Sequence, residues 1–283
     1  MLAARRARTA LPDLVAMTCD TDPGVRAAAM RACGEFGGPA EVPGMIAGLV
    51  ASAPGDERRQ AERAIVTVCT QGRGHEAAAR IFLETFESSP RDRQEPLLPA
   101  LGGIGGPAAL AIVDGLIASG DPRQRRMGLE AIARWPDATV ASRLLDLVTT
   151  AEDPAERDLL IGALVRIAPL PDNKLDNSRK LDLVKKTMAL CRTDMERARL
   201  IERANAIRTL ETFRYVTGFL DTPALAEAAC ASVVELAHHR QLRDANKDEF
   251  GKALDKVIDT TKNPELGARA AAYKAGKTWA RKT

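Results

Sequence analysis

Asp22-Pro23-Gly24-Val25-Arg26-Ala27-Ala28-Ala29-Met30-Arg31-Ala32-Cys33-Gly34-Glu35-Phe36-Gly37-Gly38 decides the fold, because it returns in degraded form along most of the chain. A turn, often Asp-Pro, leads into a helix with an arginine in its first turn. A small-residue or glycine break follows. The same start is seen at Asp121-Pro122-Arg123-Gln124-Arg125 and at Asp153-Pro154-Ala155-Glu156-Arg157. Anchored on the arginine, the repeats begin at Arg26, Arg59, Arg93, Arg125, Arg157 and Arg197, at intervals of 33, 34, 32, 32 and 40. That period belongs to a helical solenoid, in which each unit buries its apolar face against its neighbours.

Apolar positions follow each anchor at offsets of three, seven and ten, which share one helix face. They are Ala29, Cys33 and Phe36; Gly128, Ile132 and Trp135; and Leu160, Leu164 and Ile167. Preceding segments, Val42 to Ser52, Glu76 to Glu87, Ala108 to Ser119 and Thr139 to Thr150, read as the first helix of each pair. In the last, Leu144, Leu145 and Val148 form the expected buried stripe. Asp22, Asp121 and Asp153 precede prolines that fit a first helical turn, so they read as caps. Gly37-Gly38, Gly102-Gly103 and Gly105-Gly106 read as helix ends that need a left-handed residue.

Composition agrees with an array. The 283 residues exceed the usual content of one compact core. Apolar content is 45% but aromatics are only 4%, so Ala, Leu, Ile and Val must fill closely spaced helices. The expected architecture is an all-α superhelix of about eight hairpins, with residues 1–283 as one solenoid. The longer connection at 169–177 is a possible subdomain break. A second long connection runs from His238 to Glu249. Lys274 to Arg281 suits a terminal cap, whereas the start lacks one, which fits a fragment of a longer protein.

The Asp-Pro-x-Val-Arg-x-x-Ala pattern and its Gly-Gly break resemble the short bacterial units of the HEAT repeat family. Asp22 to Gly38 matches best; Asp121 to Trp135 and Asp153 to Ala168 match well. Residues 56–72 and 89–106 match in part, and units from Asp194 onward keep the period but lose most of the motif. The resemblance implies that Asp22, Asp121 and Asp153 pair with Arg26, Arg125 and Arg157 in a ladder between adjacent repeats. It also implies a scaffold or binding surface more often than an enzyme.

Five cysteines, Cys19, Cys33, Cys69, Cys191 and Cys230, lie far apart without C-x-x-C spacing. They point to reduced, buried thiols in a cytoplasmic setting and not to zinc. No apolar run is long enough for a membrane span, so no membrane partner is expected.

Candidate chemistry is sparse. Helical hydroxylases built from such repeats hold two irons with several His-Glu pairs; here only His75-Glu76 has that form, so the ligand count fails. Glu235 and His239, four apart, share a helix face and are expected to pair. Gly103-Ile104-Gly105-Gly106 lacks the strand that a dinucleotide fingerprint requires. No catalytic residue, metal or cofactor is assigned.

Net charge is +3 from 41 basic and 38 acidic residues. One bias stands out: Lys174 to Arg214 holds eleven basic residues against six acidic. Lys185, Lys186, Arg192, Arg199 and Arg203 form the candidate patch, for an acidic partner or for phosphates. In that stretch Leu181, Val184, Met188 and Cys191 are expected to face inward, leaving Lys185 and Arg192 outside. Helical-repeat glycosylases that remove alkylated bases use a basic concave groove, Trp and a poised acid. Here Trp135 falls on the core stripe, and outward positions alternate in sign: Arg31 and Glu35; Arg126, Glu130 and Arg134; Asp158 and Arg166. A nucleic-acid partner is therefore not expected. The expected function is a non-catalytic scaffold that binds a protein. The alternatives are a nucleic-acid-binding repeat protein related to those glycosylases, or an accessory array of a larger bacterial enzyme.

Overall fold

The computed structural model describes residues 9–170 and 175–279. Among these the chain is all-α, a HEAT-like solenoid of eight helical hairpins. Contacts divide it into two units, Met1–Pro136 and Asp137–Thr283. Part of the 169–177 connection, residues 171–174, lies outside the described residues, as do 280 and 281 of the terminal segment.

The first unit holds four hairpins. Their first helices are Leu11–Met17, Val42–Ala51, His75–Ser88 and Pro107–Ile117. Their second helices are Pro23–Phe36, Asp56–Thr70, Leu98–Ile104 and Pro122–Ile132, which pack on one another as a layer. The second unit repeats the plan. Its first helices are Ala141–Thr150, Asn177–Leu190, Leu210–Thr217 and Lys247–Thr260; its second helices are Pro154–Ile167, Asp194–Ala204, Ala226–His238 and Pro264–Lys274. The His238–Glu249 connection contains the short helix Arg240–Ala245.

Small residues allow the second helices to approach closely. A Cβ on Gly34 would stand 2.9 Å from Ala64 Cβ, and one on Gly102 would stand 2.1 Å from the Ala131 carbonyl oxygen. This corrects the reading of Gly102-Gly103 as a helix end: both lie inside Leu98–Ile104. Gly37 and Gly38 are extended, not left-handed, and at Gly37 a Cβ would strike the Cys33 carbonyl at 2.4 Å. Only Gly105 and Gly106 of the three pairs take positive φ, 71° and 93°.

The core stripe holds at Ala29, Cys33, Gly128, Ile132, Trp135, Leu160, Leu164 and Ile167, all buried, whereas Phe36 is half-buried. Each fully buried Leu or Ile contributes roughly 2 kcal/mol. In Ala141–Thr150 the buried positions are Ala141, Leu144, Leu147 and Val148; Leu145 is half-exposed, because the stripe runs at i, i+3, i+4.

Asp22, Asp121 and Asp153 cap their helices, accepting from the backbone N–H of Gly24 and Val25, of Arg123, and of Ala155. The ladder implied by resemblance has a different acceptor. Arg26 Nε donates to Glu57 Oε1 of the next hairpin at 2.7 Å, and Arg157 Nη1 lies 3.7 Å from Glu196 Oε1 of its successor. A capping carboxylate is committed to its own helix terminus, so the cross-repeat cation takes the next hairpin's glutamate.

Candidate functional site

A hollow in the first unit follows a cluster of three prolines. Pro90, Pro96 and Pro99 lack the N–H that a continuous helix needs, and they break the third hairpin's second arm. That arm runs as the turn Arg91–Gln94, the 3-10 segment Glu95–Leu97 and then Leu98–Ile104. Gln94 Nε2 donates to the Phe86 carbonyl at 2.9 Å, tying the break to the helix His75–Ser88.

A groove of about 500 Å³ opens between this arm and the fourth hairpin. Phe86, Leu98, Ile112, Leu116 and Met127 make its apolar floor. Arg91, Asp92, Glu95, Asp121, Arg123 and Gln124 line it with polar groups. Arg123 Nη2 donates to both Glu95 oxygens, at 2.6 and 2.8 Å, across the two hairpins. That bond and charge raise the Arg123 pKa. A neighbouring hollow of about 440 Å³ shares Asp92, Glu95, Leu98 and Met127 and adds Val50, Arg58 and Glu130. Both volumes fall in the roughly 300–1,000 Å³ range of ligand sites. From the sequence, Asp121, Arg123 and Gln124 read only as a repeat start and Glu130 as an outward charge, and none of the lining residues reads as a site. The only local signal was the proline cluster, since the lining comes from four separated segments of ordinary composition.

The five residues of the basic patch are distributed over both layers of the second unit. Lys185 and Lys186 are exposed on the first helix Asn177–Leu190. Lys185 Nζ lies 5.8 Å from the Tyr215 ring centroid of the following hairpin. Lys186 faces the opposite way, into a hollow of about 410 Å³ shared with Ser142, Leu145, Arg179 and Asp182. Arg192 is exposed in the connecting turn, where its backbone N–H donates to Glu196 at 2.7 Å. Arg199 and Arg203 are exposed on the second helix. Arg203 is committed to structure, donating to the Val165 and Arg166 carbonyls at 3.1 and 2.9 Å. Leu181, Val184 and Cys191 are buried as expected, and Met188 is half-buried.

Three of the outward positions, Arg126, Glu130 and Arg134, carry paired charges, and Arg166 is half-buried. Arg126 meets Glu130 at 3.1 Å, and Arg134 meets Glu62 of an earlier hairpin at 3.1 Å. Glu235 bonds Arg269 at 2.6 Å, which corrects the expected pairing with His239. The neighbouring His238 Nδ1 lies 2.9 Å from the Tyr273 hydroxyl. Burial lowers the His239 pKa, as do Arg208 and His238, against a smaller opposing effect of Glu235. Cys19 is exposed, and the other four thiols are free and buried. Among the described residues no three His, Cys, Asp or Glu cluster as metal ligands, and no helix is long and apolar enough to cross a membrane.

A family model described as HEAT repeats matches residues 1–66. No curated protein matches the chain. Among solved structures, human deoxyhypusine hydroxylase in complex with glycerol is similar at 12% identity, over 98% of this chain and 99% of that one, with a TM-score of 0.36. The family match spans most of the first two hairpins, and the eight hairpins among the described residues give the chain an all-α, HEAT-like repeat fold.

Proposed function

We propose that this protein is a non-catalytic HEAT-repeat scaffold that binds a protein partner, and that the Phe86–Met127 groove is its docking surface. The observation that carries the reading is the groove's chemistry: an apolar floor under a rim of both signs, with Arg91 and Arg123 beside Asp92, Glu95 and Asp121. A polyanion would meet more carboxylates than cations there. An amphipathic polypeptide segment fits better, burying apolar side chains on the floor and meeting the rim with its own mixed charges. The non-catalytic part rests on side chains already engaged elsewhere, His238 with Tyr273 and Glu235 with Arg269, and on four of the five thiols being held in the core.

Selection of a displayed random peptide library on the folded chain tests this. Enriched sequences should be amphipathic, and Met127→Glu should weaken their binding at least about tenfold. Arg199→Glu, on the second unit, should leave it unchanged. Enrichment that ignores Met127→Glu while the variant stays folded would overturn the groove assignment. Tight duplex DNA binding at physiological salt, or release of an alkylated base from it, would overturn the scaffold reading.

A further inference from the structure

A further pocket lies in the last hairpin. It has a volume of about 290 Å³ and is bounded by Arg243, Lys247, Phe250, Gly251, Tyr273 and Lys274, among others. Three of these side chains are cationic. Lys274 is matched by Asp255, and Asp244 at the rim is held by Arg240 at 3.0 Å and Arg243 at 3.3 Å. Glu249, in the adjoining first helical turn, is bonded to Arg214. These three carboxylates therefore already have partners, and Asp248 in the same helical turn is exposed.

Arg243 is 4% exposed. Its Nη1 donates to the Ala237 carbonyl at 3.0 Å and its Nε to Asp244, but Nη2 is buried with no hydrogen-bond partner. A buried guanidinium donor left unpaired is costly, and an acceptor entering the pocket relieves that cost. The helix Lys247–Thr260 begins at the same pocket, and its Asn246 makes no side-chain cap. Its first amides and the positive end of its dipole favour an anion there. Phe250, Leu254 and Tyr273 supply an apolar wall.

Gly251 keeps the space open. It sits inside a 14-residue helix, where glycine is less stable than alanine, yet a Cβ built on it meets nothing within 4 Å.

We propose that this pocket binds a compact organic anion. Its oxyanion head is held by Arg243 Nη2 and Lys247, and its apolar body lies on Phe250, Leu254 and Tyr273. The site is separate from the docking groove and stands or falls independently of it.

Calorimetric titration of the full chain with phenyl phosphate, benzoate and inorganic phosphate at matched ionic strength tests the proposal. Phenyl phosphate or benzoate should bind saturably and more tightly than inorganic phosphate. Gly251→Leu should abolish binding by filling the pocket, with the helical spectrum and melting temperature retained. Lys247→Gln, at an exposed position, should weaken binding about twofold to fivefold. No saturable binding of any probe up to about 10 mM would overturn the proposal. So would binding that survives Gly251→Leu. Inorganic phosphate binding as tightly as phenyl phosphate would overturn the assignment of the apolar wall.

Discussion

Arg157 of one hairpin and Glu196 of the next approach to 3.7 Å, with side chains only 5% and 15% exposed. Arg157 also donates to the Leu190 carbonyl at the end of the intervening helix. One buried guanidinium thus ties together three consecutive helices. Arg157→Ala should destabilise the protein by about 1–3 kcal/mol, because it leaves buried acceptors unpaired. Arg126→Ala removes a side chain that is 77% exposed and should cost about 0.5 kcal/mol or less. Urea melts of both variants check this; equal effects would contradict the ladder.

The equivalent contact in the first unit makes stability acid-sensitive. The hydrogen bond from Arg26 is the main cause that lowers the Glu57 pKa, against some opposing burial. A depressed carboxyl contributes stability above its unfolded pKa and loses it as pH falls through the folded value. Glu57→Gln should therefore be less stable than the wild type at neutral pH. Melting temperatures of the two should converge between about pH 5 and pH 3. Parallel curves through that window would show that Glu57 does not contribute in this way.

His239 acts in a different pH window. Its folded pKa lies below the ordinary value of 6.5, chiefly through burial, then through Arg208 and His238. The unfolded chain takes up the proton first, so stability is intact above about pH 6.5 and declines as pH falls below it. His239→Gln should flatten the loss of melting temperature between about pH 7 and pH 5. An unchanged slope would rule out the histidine as its source.

Thiol chemistry should single out Cys19. Burial pushes Cys69 up to about 12, and Cys33, Cys191 and Cys230 up to about 11. The thiolate is the nucleophile, so these four should react only on unfolding. An aromatic disulfide reagent should therefore titrate one thiol rapidly in the native protein and five in denaturant. A second fast thiol would contradict the burial pattern.

The basic residues around Lys185 should bind DNA only weakly, at about 10⁻⁴ M or weaker at physiological salt. Lys185 and Lys186 face different neighbours, and Arg203 is occupied with backbone carbonyls. Binding near about 10⁻⁷ M would contradict this, above all if changing Lys185, Lys186 and Arg192 to Gln flattened the salt dependence.

What the sequence disclosed was whatever repeats. Caps at Asp22, Asp121 and Asp153, the buried stripe through Trp135 and the hairpin count all follow from local chemistry at a fixed period. Partners across hairpins were not legible. Arg26 finds Glu57, and Glu235 finds Arg269, at separations of 31 and 34 residues, and either acid could have been an ordinary solvated residue. The groove was hidden for the same reason. Phe86, Ile112 and Met127 are unremarkable helix residues, and only the prolines at 90, 96 and 99 mark where the stacking opens.

Methyl-resolved NMR of the full chain, titrated with a peptide from the library selection, tests the docking claim most directly. Shifts should concentrate at Ile112, Leu116 and Met127, on the groove floor. Shifts centred instead on the methyls around Lys185 and Arg199, with Ile112, Leu116 and Met127 unmoved, would contradict it.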